Sequence, residues 1–366
     1  MKESKVCSIC GAVLTKDEAK EFQGNYYCEE CLESNTNICD ECGDRYWSSD
    51  MRNDGIIAIC SSCYDDDYNS CTSCGRIVRS NDTYYEDDDD NPYCYHCYQK
   101  LEENAIKSYN YKPTPIFYGV GGLFMGIELE VDKGGEIHEN AQTLIDIAGS
   151  DKLYCKHDGS IDDGFEMVSH PMTLEYHMKE MPWREIFEKA IEMHYRSHQT
   201  DTCGLHVHVN KSALGATYEE QEETISHIVY FVEKFWAEIL KLSRRTQRNI
   251  DRWASRYGIS TTAKDTYKNA KNKGRGRYCA INIENYNTIE FRFYRGSLRF
   301  ESFIAALQLT EEICKTAKSL TDAEMETLSW SDFVVGIDEC HKPELIGYLK
   351  EKLLYINERV STQEEI

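Results

Sequence analysis

Apolar and ionisable residues alternate with a period of two in four separate segments of the chain. The segments are "IELEV" at 127–131, "FEMVSHP" at 165–171, "GLHVHVN" at 204–210 and "TIEFRFYRG" at 288–296. Because successive side chains of a β-strand point to opposite sides of the sheet, this period is typical of half-buried strands. The sequence therefore predicts a sheet with one apolar face and one polar face.

The residue types on the polar side are unusual for a face that only contacts solvent. Such a face would carry Ser, Thr, Lys and Gln in mixed order, and a lone His there would be interpreted as a core residue. The polar positions are instead Glu128, Glu130, Glu166, His206, His208, Asn210, Glu290, Arg292 and Tyr294. Carboxylates and imidazoles are metal ligands, and arginine binds anions. Their recurrence on several strands predicts a functional site on this face.

Apolar residues spaced three and four apart predict helices between and after these strands. The predicted helices cover residues 138–149, 173–197, 217–244, 300–319 and 343–358. They would cover the apolar face of the sheet and leave the polar face as a concave floor. We therefore expect an α+β fold, an antiparallel sheet with helices on one face, over residues 119–366.

Cysteines dominate the first 100 residues. Twelve of the 17 cysteines lie there in six CxxC pairs, and the pattern of two pairs recurs every 32 residues. Four thiolates around one Zn²⁺ can replace the hydrophobic core that so short a repeat cannot supply. We expect about three structural zinc sites, in β-rich repeats at about 7–31, 39–63 and 71–97. The expected ligands are Cys7, Cys10, Cys28, Cys31, Cys39, Cys42, Cys60, Cys63, Cys71, Cys74, Cys94 and Cys97.

Three alternatives to this interpretation remain open. The cysteines could form a disulfide scaffold, ligands could be shared between repeats, or His96 could replace a cysteine. The repeats resemble zinc-ribbon or LIM-type half modules. However, seven residues separate successive repeats, where a true LIM domain has a junction of two.

Composition and charge limit the class of protein and its partners. The 366 residues are enough for two domains, and residues 101–118, where cysteines stop and two prolines occur, are expected to be a linker. The net charge is 41 − 64 = −23, and residues 1–100 carry 9 Lys and Arg against 21 Asp and Glu. So large an excess of carboxylate repels phosphate backbones, which makes nucleic acid an unlikely partner.

The location of the protein is predicted from what the chain lacks. No apolar run reaches the roughly 18 residues of a membrane span, and the start "MKESKVCSIC" has no signal-peptide core. We expect an intracellular protein without membrane contact, in the reducing cytoplasm.

Six segments of the chain together resemble a known family. They are "GIELEV" at 126–131, "DGSI" at 158–161, "FEMVSHP" at 165–171, "CGLHVHV" at 203–209, "RYCAINI" at 277–283 and "TIEFRFYRG" at 288–296. In this order they resemble the amidoligase family of carboxylate-amine ligases, in the glutamine synthetase and glutamate-cysteine ligase superfamily. The resemblance covers roughly residues 119–320. His170 and Ser297 depart from the family pattern, and the cysteine repeats lie outside it.

The resemblance implies a glutamine synthetase-like sheet and ATP-dependent joining of a carboxylate to an amine through an acyl phosphate, with Mg²⁺ or Mn²⁺. It implies five metal ligands, which are Glu128, Glu130, Glu166, His206 and Glu290. It also implies contacts to nucleotide or substrate, from His208, Arg292 and Arg295 to phosphates, from Arg277 to a phosphate or carboxylate, and from Asp158 at the substrate end.

Two other classes of function remain open. A metal-dependent hydrolase could use the same histidines and carboxylates, although the familiar amidohydrolase barrel needs eight strand-helix repeats. A non-catalytic interaction protein could be built on a ligase fold. The expected substrates are amino-acid, peptide or protein carboxylates and amines, and the zinc repeats are expected to recruit a protein or peptide partner.

Overall fold

The computed structural model of the protein describes residues 5–85, 90–102, 104–198, 200, 202–272 and 276–356. The chain forms two compact units. One comprises Met1–Glu103 with Asn110–Lys112, and the other comprises Asn104–Tyr109 with Pro113–Ile366. The segment expected to be a linker is thus divided between the two.

The first unit consists of three repeats, each with two short β-hairpins and a helix. The first contains β1 (Lys5–Val6), β2 (Val13–Leu14), β3 (Lys20–Phe22), β4 (Asn25–Tyr27) and α1 (Glu29–Asn35). The second contains β5 (Thr36–Ile38), β6 (Arg45–Trp47), β7 (Met51–Asn53), β8 (Ala58–Cys60) and α2 (Ser61–Asp67). The third contains β9 (Tyr68–Ser70), β10 (Ile77–Arg79), β11 (Thr83–Tyr84), β12 (Tyr93–Cys94) and α3 (Tyr95–Glu102).

A glycine after the first CxxC pair closes the first hairpin of every repeat. Gly11, Gly43 and Gly75 have φ of 75°, 78° and 74°, a left-handed conformation that glycine adopts without steric cost. Their amides donate to the carbonyl oxygens of the cysteines four residues earlier, at 2.8 to 2.9 Å. The resulting turns bring the two cysteines of each pair to one side.

Consecutive repeats pack through a few side chains. The ring of Trp47 in the second repeat lies 5.3 Å from Phe22 and 5.4 Å from Tyr27 in the first, and its Nε1 donates to Gln23. Between the second and third repeats, the hydroxyl of Tyr68 donates to Glu41. The hydrophobic clusters of this unit are small. Apolar burial alone therefore contributes little to each repeat.

A seven-stranded sheet forms the centre of the second unit. Its strands are β13 (Ile106–Lys107), β14 (Met125–Val131), β15 (Leu153–Lys156), β16 (Phe165–Ser169), β17 (Gly204–Asn210), β18 (Ile281–Asn282) and β19 (Thr288–Arg295). Their order is β13-β15-β16-β14-β17-β19-β18. The four strands expected from alternation are all present. The sheet is mixed, because β13, from the expected linker, pairs in parallel with β15.

Eleven α-helices are found in the described part of this unit. They are α4 (His138–Ala148), α5 (Leu174–Lys179), α6 (Trp183–Glu192), α7 (Tyr218–Lys234), α8 (Trp236–Ser243), α9 (Gln247–Trp253), α10 (Ala263–Asn272), α11 (Phe300–Ser319), α12 (Asp322–Thr327), α13 (Trp330–Val335) and α14 (Pro343–Glu351). Two predicted helices are broken: 173–197 near Pro182, which cannot continue a helix, and 217–244 at Phe235. The predicted helix 343–358 ends at Glu351, and its last two residues lie outside the described part of the chain.

The apolar faces of the sheet and the helices share one hydrophobic core. Ile127, Val207 and Phe291 from three adjacent strands pack there with Phe231 of α7 and Phe303 of α11. The α+β prediction is confirmed, with the four-cysteine region preceding the sheet. Among the described residues, none of the helices combines the length and the apolar composition that a membrane crossing requires.

Candidate functional site

The twelve N-terminal cysteines form three clusters. Each cluster takes its four thiols from one repeat, and the four sulfur atoms lie within 4.8 Å of one another. In the first repeat, backbone amides of Cys10 and then Cys28 lower the pKa of Cys7 to about 6, which favours a thiolate. Because each cluster comes from a single repeat, the arrangement favours one site per repeat over ligands shared between repeats, and exposed His96 belongs to none of these three clusters.

The strand registers arrange the polar face of the sheet in three successive rows. The first row is Lys156, Glu166 and Glu130, on β15, β16 and β14. The second pairs Glu128 with His206. The third is His208, Glu290 and Asn282, on β17, β19 and β18. Side chains on one face of neighbouring strands lie about 5 Å apart, so these rows build one continuous cluster.

Two carboxylates and two imidazoles meet in the middle of this cluster. Nδ1 of His206 lies 3.2 Å from Oε2 of Glu128 and 3.5 Å from Oε1 of Glu290. Nε2 of His208 lies 3.3 Å from Oε1 of Glu128. Although burial opposes it, the charge of His208 and the hydrogen bond with His206 hold the pKa of Glu128 well below its ordinary value.

The first row behaves differently because carboxylates, and not imidazoles, are the main neighbours of Glu166. Burial raises the pKa of Glu166 well above its ordinary value, and burial also raises the pKa of Glu130. Oε2 of Glu166 forms an ion pair with Nζ of Lys156 at 3.1 Å, but no hydrogen bond is found for it in the described structure. Crowded buried carboxylates without full hydrogen bonding are costly unless a cation binds them.

The donor atoms fit a divalent cation. Glu128, His206 and Glu290 offer three ligand atoms within 4.8 Å of one another, and Glu130, Glu166 and His206 offer a second such set. Carboxylate oxygens with one imidazole suit Mg²⁺ or, more readily, Mn²⁺. All five predicted metal ligands are therefore brought together.

Arg292 and Asn282 hold the carboxylate of Glu290 from two sides. Arg292, which is buried, forms an ion pair with Oε1 of Glu290. Nδ2 of Asn282 donates to Oε2 of the same carboxylate at 2.8 Å, and Asn282 is also buried. These partners fix the orientation of Glu290, as the outer partners of metal ligands commonly do.

A β-bulge changes the face assigned to the end of β19. Leu205 pairs with Tyr294 and Val207 with Phe291, so β19 carries one extra residue between these pairs. Tyr294 thereby turns into the core, where its hydroxyl contacts that of Thr310 at 2.8 Å. The assignment of Tyr294 to the polar face with Glu290 was therefore wrong.

The remaining predicted residues lie at the margins of the cluster. Arg295 pairs with Gly204 at the end of the strand and lines a small cavity with His198 and Arg244. Asp158 lies in the turn after β15, and its carboxylate raises the pKa of Glu130 and Glu166 to a small extent beside burial. Arg277 is exposed, and its guanidinium donates to the hydroxyl of Tyr278 at 3.2 Å.

A cavity of about 1080 Å³ adjoins the third row of the cluster. His208 is part of its wall, together with Gly126 and Thr288. Aromatic rings of Phe117, Phe124, Tyr218, Tyr257, Tyr267 and Tyr286 also line it. The imidazole of His208 therefore connects the carboxylate cluster with a large cavity whose wall carries both aromatic and polar side chains.

Sequence reasoning missed three residues of this site. Lys156 lies two residues before the "DGSI" segment, and Asn282 lies within "RYCAINI", so both were inside or beside the motifs of the family resemblance. Their alternation with buried Cys155 and Ile281 was a signal that could have identified them. Arg245 follows helix α8, and no local pattern marked it.

Comparison with known proteins supports the resemblance over part of the chain. The model of a family described as "Putative amidoligase enzyme" matches residues 148–314. No curated protein sequence matches the chain. The crystal structure of a bifunctional glutathione synthetase from Pasteurella multocida is similar with a TM-score of 0.36 and 11% sequence identity. That similarity covers 64% of this chain and 46% of that protein, so this chain spans less than half of its length.

The segment that matches the family includes most of the strands that carry the site. The matched segment contains Glu166, His206, His208, Glu290 and Arg292, whereas Glu128 and Glu130 precede it. Residues 148–314 therefore match the family described as putative amidoligases, and the resemblance inferred from the sequence motifs is confirmed for this segment.

Proposed function

We propose that the second unit is an ATP-dependent carboxylate-amine ligase that forms an amide or peptide bond through an acyl phosphate. The observation that carries the proposal is the cluster of Glu128, Glu130, Glu166 and Glu290 around His206, next to a cavity of about 1080 Å³. The match of residues 148–314 to an amidoligase family supports the same class of reaction.

The carboxylate cluster would hold the divalent metal of the reaction. Glu128, His206 and Glu290 form one ligand set, and Glu130 and Glu166 form most of a second. Mg²⁺ or Mn²⁺ bound there would neutralise charge on phosphate oxygens.

In the proposed reaction, an oxygen of the acid attacks the γ-phosphorus of ATP and the bond to the ADP oxygen breaks. The nitrogen of the amine then attacks the acyl carbon, phosphate leaves and the amine loses a proton. Phosphoryl transfer of this kind depends mainly on positioning and on neutralisation of charge. We assign this task to Arg292, whose guanidinium lies beside Glu290 and can bind phosphate with two hydrogen bonds.

The cavity beside His208 indicates at which end of the site the nucleotide would bind. Its volume and aromatic lining suit a nucleoside, since ligand sites of this size are concave and mostly apolar. With the nucleoside there, the phosphates would extend past His208 toward Glu128 and Glu290. We place Asp158 at the substrate end, near Glu130 and Glu166, and Arg277 at the margin.

The four-cysteine repeats are proposed to bind structural Zn²⁺ and to recruit a protein or peptide partner. Four sulfur atoms within 4.8 Å of one another in each repeat support zinc binding. The strongly acidic composition of this unit argues against nucleic acid as that partner.

The decisive experiment is incubation of the whole protein with ATP, Mg²⁺ or Mn²⁺, pooled L-amino acids and hydroxylamine. Hydroxylamine captures an acyl phosphate as a hydroxamate, so we expect hydroxamate and ADP to form together. Release of AMP and pyrophosphate would contradict the acyl-phosphate route. Hydrolysis of amide substrates without ATP would favour the metal-dependent hydrolase.

A further inference from the structure

Arg245 is a basic side chain at the site that the motifs do not include. Helix α8 ends at Ser243, and Arg244 adopts a left-handed conformation with φ of 58°. Such a conformation is costly for a residue other than glycine, and it turns the chain toward the end of the sheet. Nε of Arg245 then donates to the carbonyl oxygen of Tyr294 at 3.0 Å, which anchors the side chain on β19.

Gly204 leaves the space that the guanidinium of Arg245 occupies. A Cβ built at position 204 would overlap Nη2 of Arg245 and would lie 3.1 Å from Nε2 of His206. The guanidinium therefore lies over Gly204, beside a metal-ligand candidate. The glycine of the "CGLHVHV" segment is explained by this close approach and not by a turn.

The electrostatic environment of Arg245 also belongs to the carboxylate cluster. Burial lowers the pKa of Arg245 to about 10, and the charge of Glu130 opposes that shift. The amide of Gly204 donates to Oε2 of Glu130. Arg245, Gly204 and Glu130 thus form one compact group at the start of β17.

This group and the large cavity lie at opposite ends of the same strand. Gly204 begins β17, and His208, which lines the cavity, follows four residues later. At about 3.3 Å per residue, the two positions are about 13 Å apart along the strand. The five metal-ligand candidates extend from one end to the other, from Glu130 beside Gly204 to Glu290 opposite His208. A nucleotide in the cavity would therefore direct its terminal phosphate toward Arg245.

We propose that Arg245 binds the reacting carboxylate of the acid substrate and thereby defines the acid end of the site, opposite the nucleotide. This inference rests on the proposed ligase function. A guanidinium suits the role because it can hold both oxygens of a carboxylate in one plane and keeps its charge. Gly204 has the supporting role of keeping Nη2 in place.

The test compares KM for the acid and KM for ATP between the wild-type protein and its variants in the hydroxamate reaction. The acid is the amino acid from which the pooled reaction forms hydroxamate. Arg245→Gln should raise KM for the acid by about tenfold or more, since charge-assisted hydrogen bonds are lost. KM for ATP should change by less than about twofold. Arg245→Lys should have an intermediate KM for the acid, and Gly204→Ala should resemble Arg245→Gln because its methyl group displaces Nη2.

Arg248→Gln is the matched control, since it removes the same charge from an exposed position on α9 and should leave both constants unchanged. A thermal melting curve is measured for every variant to establish that it is folded. If Arg245→Gln is unstable, the KM values of Arg245→Lys test the inference instead. An increase in KM for ATP alone would assign Arg245 to the nucleotide, and unchanged constants would reduce it to a structural residue; both overturn the inference. A wild-type protein that forms neither hydroxamate nor ADP would refute the proposed ligase itself.

Discussion

The first unit buries only a few side chains in each of its three hydrophobic clusters, whereas the second unit encloses four glutamates and two histidines beside one continuous core. In the first unit, the cysteine clusters are placed by local turns that repeat every 32 residues. In the second, the cluster is assembled from strands that are as far apart as Glu128 and Glu290 in the chain. A short repeat that carries its own ligand set is expected to need the metal in order to fold. A large sheet with its own hydrophobic core is expected to fold without the metal that its side chains bind.

The largest expected effect is that of zinc removal on the first unit. The purified protein should contain about three tightly bound zinc ions, because each repeat offers its own four thiols. Chelation should unfold the repeats, with a loss on the order of 10 kcal/mol per site, and leave the second unit folded. Elemental analysis with limited proteolysis measures both. Near-zero zinc together with oxidised cysteine pairs would support a disulfide scaffold instead.

A pair of substitutions tests whether catalysis belongs to the second unit alone. Glu290→Gln removes the charge of a metal-ligand candidate but keeps an oxygen that can accept from Asn282, so nucleotide turnover should fall by at least about 100-fold without unfolding. Arg292→Lys should also impair turnover, because the two-point fork is lost. Rates of ADP release and zinc content are the measurements.

Cys28→Ser should affect the first unit and spare catalysis, the opposite of the outcome expected for Glu290→Gln. It removes one thiol from the first cluster, so one zinc ion and the structure of that repeat should be lost. Turnover with small acids and amines should largely persist, and only activity on a large partner should fall. A folded Cys28→Ser protein as inactive as Glu290→Gln would show that the repeats form part of the active site.

A smaller effect is expected from Asn282→Ala, which tests whether outer hydrogen bonds orient Glu290. The variant loses the bond of 2.8 Å to Oε2 but keeps every proposed ligand. Affinity for Mn²⁺, measured by calorimetry, should fall about 10- to 100-fold. Affinity equal to that of the wild-type protein would mean that Arg292 alone fixes the carboxylate.

The smallest effects come from the same change at two glycines. Gly43→Ala places a side chain at φ of 78° without any steric overlap and should cost about 1 kcal/mol or slightly more in the second repeat. Gly347→Ala, at an exposed position of α14 with open space around it, should stabilise the second unit by about 0.5 to 1 kcal/mol. Denaturant unfolding monitored separately in each unit measures both. If both substitutions changed the free energy of unfolding in the same direction, local backbone conformation would not distinguish the two glycine positions.

The side chains that cluster in each cysteine repeat and on the polar face of the sheet could be predicted from sequence, because these groupings follow from short-range patterns. CxxC pairs at a fixed period specify which thiols can meet within one repeat, and alternation along β14 and β17 specifies which glutamates and histidines share a face. Four of the seven strands of the sheet and most helices of the second unit followed for the same reason, since periodicity reflects which side of an element is buried.

The tertiary structure decided what depends on contacts between distant segments. The bulge between β17 and β19 moved Tyr294 into the core, and no pattern within "TIEFRFYRG" specifies where an extra residue is accommodated. Likewise, Lys156 meets Glu166 only through strand pairing, and Arg245 reaches Gly204 only because helix α8 ends beside the sheet. Where a strand has no bulge, local alternation determines the face of a residue. Register, bulges and helix placement are set by packing of the whole core, and those determined which charges meet at this site.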